Sequence, residues 1–262
     1  MLIINADDFG ASEEVNNAIA SAFKDKLISS TTILANAPAF EQACALAKKN
    51  GFADKVGIHL NITEGVPLSA GMRDSKIFCN AAGMLSFSRF THIVLPMKEL
   101  ALLLDEFSAQ IERCKLNGLQ LTHADSHHHV HTELLIGITA MKALRRYNIP
   151  YMRLSDNVHR TSFPRKIYKS GFNILLRLYG LRGTDYFCDM TYVGSVKKSC
   201  DAPDHVVELM VHPELASDGE VVDAISRKPL SASVQSIGYL RDLISFADIK
   251  SNRGSTVFPS PT

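Results

Sequence analysis

Short apolar runs alternate with helical patterns along this chain of 262 residues, and that alternation constrains the fold more than any other feature. Predicted strands cover 2–5, 28–34, 55–62, 119–124, 151–154, 185–193 and 205–212, and predicted helices cover 13–24, 40–49, 97–116 and 133–147. Strands joined by crossover helices form parallel sheets, so we predict an α/β fold, either a barrel or an open sheet. The chain shows no repeat or linker, which indicates one domain over 1–262. Residues 65–95 and 157–184 are predicted insertions, and the last forty residues are predicted to hold one more helix and a polar tail.

The composition is typical of a soluble enzyme. Hydrophobic residues make up 46% and charged residues 21%, and the net charge of +1 predicts no nucleic-acid partner. Five widely spaced cysteines without a Cys-x-x-Cys pair indicate reduced thiols. The N-terminus lacks a signal-peptide pattern and no apolar run is long enough to span a membrane, so we expect a cytoplasmic protein.

A histidine cluster interrupts this regular pattern. Five of the ten histidines lie between His123 and His131, together with Asp125. In an extended chain, the side chains at 123, 125, 127, 129 and 131 would share one face. Because imidazole is a common ligand of transition metals, the cluster predicts a metal site. One ion cannot bind all five histidines, so some of them would orient the ligands or the substrate. The alternative is a surface histidine tract, but the position between a strand and a helix favours a site.

An acidic pair, Asp7 and Asp8, follows the first predicted strand. Two adjacent carboxylates leaving a strand cannot both face the same way in regular geometry. One of them could bind a cation while the other accepts a proton from a metal-bound water as general base. The alternative is a turn with solvated acids, since Asp and Gly are common in loops.

Two isolated histidines, His59 and His212, lie at the ends of other predicted strands. A lone histidine such as His59 is more often a hydrogen-bonded core residue than a metal ligand. His212 could equally be a histidine packed at a strand end or a general acid toward a leaving amine. Active-site groups of parallel α/β folds gather at the carboxyl ends of the strands. Since Asp7, Asp8, His59, His127 and His212 follow four separate predicted strands, we predict that they share one site.

Taken together and in order, these motifs resemble those of the YdjC family of carbohydrate deacetylases. The matching segments are Asn5-Ala6-Asp7-Asp8-Phe9-Gly10, Gly57-Ile58-His59-Leu60, Thr122 to His131, and Glu208-Leu209-Met210-Val211-His212-Pro213. The resemblance implies a (β/α)-barrel-like fold, distorted or incomplete. It also implies an enzyme that removes acetyl groups from N-acetylated sugars with one divalent metal ion.

The resemblance also implies a role for each matching position. The metal ligands would be Asp8, His59 and His127. Asp7 would be the general base and His212 the general acid. Arg153 would orient Asp7 or the substrate, and Asp125 and His123 would support the site from behind the ligands. Two nitrogens and one oxygen suit zinc, iron, cobalt or nickel, and magnesium is also compatible. Among these ions we favour zinc.

Two other functions fit the same residues. A metal-dependent phosphoesterase or amidohydrolase on a similar barrel would need a second ion about 3.5–4 Å from the first. A non-catalytic protein that binds metal or glycan would hold the ion without turnover. A glycoside hydrolase fits poorly, because adjacent residues rarely hold their carboxyl groups about 5 Å or more apart across one sugar bond. We expect an N-acetylated sugar as ligand and a homo-oligomeric assembly.

The segment 157–184 contains no acidic residue but several cations, interleaved with apolar residues: Arg160, Arg165, Lys166, Lys169, Arg177 and Arg182. Such a pattern could lie on an anionic membrane or hold a lipid-linked or phosphorylated glycan. We favour a basic helix packed on the barrel or at a subunit interface, because apolar residues at helical spacing are usually core. Peripheral membrane contact is therefore not expected.

Overall fold

Seven parallel strands form one curled sheet in the computed structural model, which describes residues 1–159, 161–192, 205–237 and 243–249. The strands are β1 Leu2–Phe9, β2 Ser30–Ile33, β3 Val56–Leu60, β4 His123–Ser126, β5 Tyr151–Met152, β6 Tyr186–Asp189 and β7 Val207–Val211. Their order in the sheet is β5-β4-β3-β2-β1-β7-β6. A single parallel bridge from Tyr151 to Arg182, just before β6, brings the two edges close together. The fold is thus an incomplete (β/α)-barrel-like domain, which confirms the expected fold class.

Helices flank the sheet, as the alternation predicts. They are α1 Glu13–Lys24, α2 Phe40–Lys49, α3 Met97–Leu116, α4 Leu134–Arg146, α5 Phe163–Leu178 and α6 Leu230–Ile237. The first three begin and end at the predicted residues. At the start of α1, the Ser12 hydroxyl accepts a hydrogen bond from the Val15 amide at 3.2 Å, a common N-cap arrangement.

The central strands are buried on both faces. Every residue of β3 and of β7 is buried, and so are Leu2, Ile3 and Ile4 of β1. A strand that is covered on both faces has apolar residues at consecutive positions, so its sequence is a short apolar run rather than an alternating pattern. Asp8, His59 and Asp125 lie toward the carboxyl ends of β1, β3 and β4, at one rim of the sheet.

The histidine cluster is not extended throughout, so the predicted alternation is wrong beyond Ser126. Strand β4 covers only His123–Ser126 rather than 119–124, and its pairing with β3 ends where Leu60 meets Ser126. A 3-10 turn, His127–Thr132, follows at once, with left-handed φ angles of 51° at His128 and 55° at His129. Once the neighbouring strand has ended, no ladder holds the chain extended, and the histidines fan out in several directions.

Other elements also differ from the sequence prediction. Strand β1 extends to Phe9 rather than ending at Asn5, so it contains Asp7 and Asp8, and β5 ends at Met152 rather than at Leu154. The strand predicted at 185–193 ends at Asp189 and is followed by a 3-10 turn, Met190–Tyr192, while Val193 lies outside the described residues. An antiparallel hairpin of β8 Pro213–Leu215 and β9 Val221–Asp223 was not predicted. Pro213 begins an edge strand there, a position that does not need its missing N–H. The predicted polar tail from residue 250 onward lies outside the described residues.

Both predicted insertions pack against the domain. The segment 65–95 contains one 3-10 turn, Ala70–Asp74, and the buried Glu106 carboxylate of α3 accepts hydrogen bonds from the amides of Leu68 and Ser69 at 3.1 and 2.7 Å. Helix α5 buries Phe172 and Leu176 against the core.

The sequence features that bear on cellular location are the cysteines and the lack of a long apolar run. Cys44, Cys79 and Cys114 are buried free thiols, as predicted, and Cys200 lies outside the described residues. Within the described part of the chain, no helix combines the length and apolar character that crossing a bilayer requires. The cytoplasmic location stays a prediction.

Candidate active site

A bulge at the end of β1 places two adjacent carboxylates at one cavity. The pairing of β1 with β2 shifts register between Ala6 and Phe9, and Asp8 adopts a left-handed φ of 67°. Regular strand geometry would have turned the side chains of Asp7 and Asp8 to opposite faces. The bulge removes that restriction. Aspartate is one of the few residues that tolerate the left-handed region, and such conformations concentrate at functional sites.

The five residues predicted to share a site do so. A cavity of about 300 Å³, here called the central cavity, is lined by Asp7, Asp8, His59, Ser126, His127, His128, His129, Met210, His212 and Ile225. The predicted residues reach it from β1, β3, the turn after β4 and the residue after β7. As expected for parallel strands, these polar groups therefore come together at the carboxyl ends of the strands.

Asp8, His59 and His127 form a donor set that fits one metal ion. The Asp8 Oδ1 atom lies 3.2 Å from His59 Nε2 and 2.9 Å from His127 Nδ1. Tetrahedral zinc with bonds of about 2.0–2.1 Å would hold its ligand atoms about 3.3 Å apart. The two distances from Asp8 lie close to that spacing, and all three donor atoms lie within 4.8 Å of one another.

The charge around Asp8 also suits a cation. Among the described residues its ion-pair partners are three imidazoles, those of His59, His127 and His212, and no lysine or arginine. Burial alone would raise the pKa of Asp8, but hydrogen bonds from His127 and His59 outweigh it and hold the pKa far below its ordinary value. The carboxylate is therefore ionised at neutral pH, with no permanent positive charge beside it.

Asp125 fixes the orientation of His59 from behind. The His59 Nδ1 atom lies 2.6 Å from Asp125 Oδ1, which assigns the proton to Nδ1 and turns Nε2 toward Asp8. Burial lowers the pKa of His59, but the negative charges of Asp125 and Asp8 outweigh it and raise the pKa to about 10. A carboxylate behind a ligating histidine is a common arrangement in metal sites.

A second, fully buried network surrounds Arg153. Its guanidinium donates two hydrogen bonds to Asp7 at 2.6 and 2.7 Å, lies 2.6 Å from Asp125 Oδ2, and donates through Nε to Glu208 at 2.6 Å. Three carboxylates thus share one guanidinium. Arg153 thus lies directly against Asp7, one of the two partners that the resemblance would have it orient.

The two ends of this network differ in charge state. Burial opposes ionisation of Asp7, yet the bidentate pair with Arg153 holds its pKa well below the ordinary value. Burial, with the negative charges of Asp125 and Asp7, raises the pKa of Glu208 to about 7 and outweighs the lowering effect of Arg153.

His123 supports Asp7 through Asn5. The Asn5 Nδ2 atom donates to Asp7 Oδ1 at 2.9 Å, so its Oδ1 atom must accept from His123 Nε2, also at 2.9 Å. Burial and the Arg153 charge keep the pKa of His123 well below its ordinary value, so the ring is neutral. A Cβ atom at position 57 would lie 2.6 Å from this ring, which explains why Gly57 stands beside it.

His212 faces Asp8 across the central cavity. Its Nε2 atom lies 3.9 Å from Asp8 Oδ2, and its Nδ1 atom has no hydrogen-bond partner in the described part of the chain. Its backbone amide donates to the buried Asp223 of the hairpin at 2.8 Å, so β9 positions the residue.

Some residues of the site were not predicted. Thr32 lies 3.1 Å from both His59 Nδ1 and Asp125 Oδ2, and nothing in the sequence singles it out. Glu208 was noted only as part of a motif, although a lone charge inside an apolar strand is rare unless it is paired. A side cavity of about 220 Å³ shares His129 and Met210 with the central cavity and takes Arg89 and Lys169 from the two insertions.

Comparison with known proteins identifies the family of this chain. The family model described as YdjC-like protein matches residues 1–243. The chain belongs to the YdjC-like family. A carbohydrate deacetylase of Brevibacillus brevis is 34% identical over 214 residues, covering 81% of this chain and 80% of the relative. A carbohydrate deacetylase of Vibrio parahaemolyticus is 31% identical over 217 residues, covering 82% and 78%.

Solved structures support the fold. A protein of Enterococcus faecalis described as a cellobiose-phosphate cleavage protein superposes with a TM-score of 0.70 at 24% identity, covering 94% of this chain and 97% of the other. The lactam utilization protein of Thermus thermophilus gives a TM-score of 0.51 at 16% identity, covering 94% and 99%. At these identities the likeness concerns architecture alone.

Proposed function

We propose that this protein is a metal-dependent deacetylase of N-acetylated sugars. The observation that carries the proposal is the central cavity, where an Asp8–His59–His127 donor set and the ionised Asp7 carboxylate lie side by side. Family membership and the names of the relatives support the same reaction class. The side cavity offers room for parts of the substrate beyond the acetamide group.

Asp8, His59 and His127 would hold the ion, and we favour zinc. When bound, a divalent ion polarises a carbonyl group and lowers the pKa of water, which brings that water within reach of a weak base. Three protein ligands suit a catalytic rather than a purely structural site, because a position is left open for chemistry. Asp125 would keep His59 in the tautomer that offers Nε2.

Asp7 would act as the general base. Its carboxylate lines the central cavity, and Arg153 and Asn5 hold it in one orientation. The lowered pKa keeps Asp7 ionised at neutral pH, so the residue is ready to accept a proton, although it is a weak base.

His212 would act as the general acid. It reaches the cavity from the strand next to β1 and lies across Asp8 from the two histidine ligands. An imidazole there can hand a proton to the nitrogen that leaves when the C–N bond of the acetamide breaks. The Asp223 carboxylate, which accepts from the His212 amide, would hold it in place.

The geometry does not favour a second metal ion. The other available donor set, Asp7, His59 and Asp125, is already bridged by Arg153, whose Nη1 atom lies 2.6 Å from both Asp7 Oδ2 and Asp125 Oδ2. A second cation would have to displace a buried guanidinium. This argues against the two-metal phosphoesterase or amidohydrolase.

The decisive experiment is acetate release from N-acetylglucosamine oligomers by metal-stripped protein, with zinc, cobalt, nickel or magnesium restored in turn. We expect release that depends on the ion and is lost in His59→Ala. His92→Ala is the matched control, because His92 is an exposed histidine of the 65–95 insertion. One bound ion per chain without release from any N-acetylated sugar would favour the non-catalytic alternative.

A further inference from the structure

Helix α5 presents an apolar stripe to solvent. Its members are Phe163, Ile167, Ile174 and Leu178, which are 75%, 58%, 55% and 69% exposed. At 100° per residue these four positions fall within an arc of about 60°, opposite the buried Phe172 and Leu176. Helix α5 therefore packs on the barrel through one face, as favoured from the sequence, and leaves a second apolar face exposed.

A second group of exposed apolar side chains lies at the end of the 65–95 insertion. Phe90, Ile93, Val94 and Met97 are between 77% and 91% exposed. Single exposed apolar residues are ordinary, but a contiguous group of large ones marks an interaction surface.

Helix α5 and the segment that carries the second group are both hydrogen-bonded to the short stretch Thr132–Glu133. The Tyr168 hydroxyl of α5 donates to the Thr132 carbonyl at 2.7 Å. From the other side, Arg89 donates to the Thr132 hydroxyl at 2.8 Å and the Phe90 amide donates to Glu133 at 2.9 Å. We call the stripe of α5 and the residues 90–97 together the apolar surface.

Cations border this surface. Arg165, Lys166 and Arg177 of α5 are exposed and form no ion pair within the described ranges, and α5 contains no acidic residue. On the helical projection, Lys166 and Arg177 lie along one edge of the apolar stripe. A second copy of the chain seated on α5 would bring cations against cations, whereas an anionic lipid surface complements both the charge and the apolar side chains.

We propose that the apolar surface docks on an anionic lipid bilayer. The stripe of α5 and the exposed side chains of Phe90, Ile93, Val94 and Met97 enter the headgroup region, while Lys166 and Arg177 contact lipid phosphates. This inference does not depend on the deacetylase activity, since membrane binding is measured without substrate.

The test is sedimentation of the full chain with phosphatidylcholine vesicles, with and without one part in three of phosphatidylglycerol. We expect binding to the anionic vesicles alone, weakened by high salt. Because each cation at such a surface contributes about fivefold in affinity, the double change Lys166→Gln and Arg177→Gln should weaken binding about 30-fold. The matched control removes two exposed lysines of other helices, through Lys24→Gln and Lys49→Gln, and should bind as the parent does.

An apolar pair of variants completes the test. Leu178→Ser should reduce binding, whereas Leu116→Ser, which changes a leucine that is 87% exposed at the end of α3, should not. The proposal is overturned if the parent does not bind anionic vesicles, or if the Lys24→Gln/Lys49→Gln control loses as much binding as the Lys166→Gln/Arg177→Gln variant. It is also overturned if light scattering shows a dimer that Leu178→Ser dissociates and Leu116→Ser does not, since the surface would then join two copies.

Discussion

Two carboxylate clusters meet at His59, and they differ in one respect that decides their chemistry. Asp8 lies with His59 and His127 at the central cavity, partly open and without a permanent cation among its described partners. Asp7, Asp125 and Glu208 form a deeper cluster around Arg153: all three are buried, and of the three Asp7 also lines the central cavity. Both clusters contain donor atoms close enough for a metal ion. The residue types are nearly the same, so the built-in guanidinium separates a candidate metal site from a positioning network.

The largest expected effect is on turnover. Asp7→Asn should lower acetate release about 10²–10⁴-fold, because the general base is lost. Its metal content should stay at the parent level, since Asp7 belongs to the Arg153 network rather than to the Asp8 donor set. Metal analysis alongside the activity assay checks both. Loss of the ion together with the activity would move Asp7 among the ligands and erase the distinction between the clusters.

The second largest effect concerns the free energy of unfolding, which should depend strongly on Arg153 in the deeper cluster. Arg153→Met leaves buried carboxylates without their counter-charge, and should cost about 3–5 kcal/mol in the free energy of unfolding measured in urea. Arg113→Met is the control, because the ion pair of Arg113 with Glu41 at 3.1 Å is exposed and should contribute about 0–1 kcal/mol. Equal costs in the two variants would mean that Arg153 does not hold the deeper cluster together.

Asp125 belongs to both clusters, which makes it a measure of their coupling. Asp125→Asn should weaken metal binding about 10–100-fold, because His59 Nδ1 loses its anionic acceptor. Titration of the metal-stripped protein with zinc measures the change, and Asp218→Asn, an exposed aspartate of the hairpin turn, serves as control. Unchanged affinity in Asp125→Asn would show that the orientation of His59 does not depend on the deeper network.

The smallest effect concerns pH and Glu208. Its pKa rises from an ordinary 4.5 to about 7 on folding, so between these values the folded state binds more protons than the unfolded state. Stability of the metal-free protein should therefore fall as pH rises through this window and then level off. Glu208→Gln should flatten that fall while changing little at pH 5, where the parent carboxyl is largely protonated. Urea unfolding of the parent and of Glu208→Gln across this pH range checks the prediction. If the free energy of unfolding falls equally steeply with pH in both proteins, Glu208 is not the group that takes up the proton.

Local patterns predicted helix boundaries better than strand boundaries. Helices α1, α2 and α3 begin and end where expected, because their amphipathic period and the Ser12 cap are local features. The limits of β4 depend on where β3 stops pairing, a fact that no local pattern contains. The same holds for the hairpin of β8 and β9, whose strands contain only three residues each.

The sequence by itself determined the fold class and the list of residues that meet at the central cavity. Strand–helix alternation requires a parallel sheet, and the carboxyl ends of its strands lie at one rim, so Asp7, Asp8, His59, His127 and His212 had to approach each other. Only the tertiary structure shows that Arg153 pairs with Asp7 and leaves Asp8 without a guanidinium among its described partners. Arg153 contacts Asp7 although 146 residues of chain separate them, and the bulge turns Asp8 toward His59. Helix α5 buries one apolar face and exposes another. Charge and burial are properties of three-dimensional neighbourhoods, so residue types alone could not assign them.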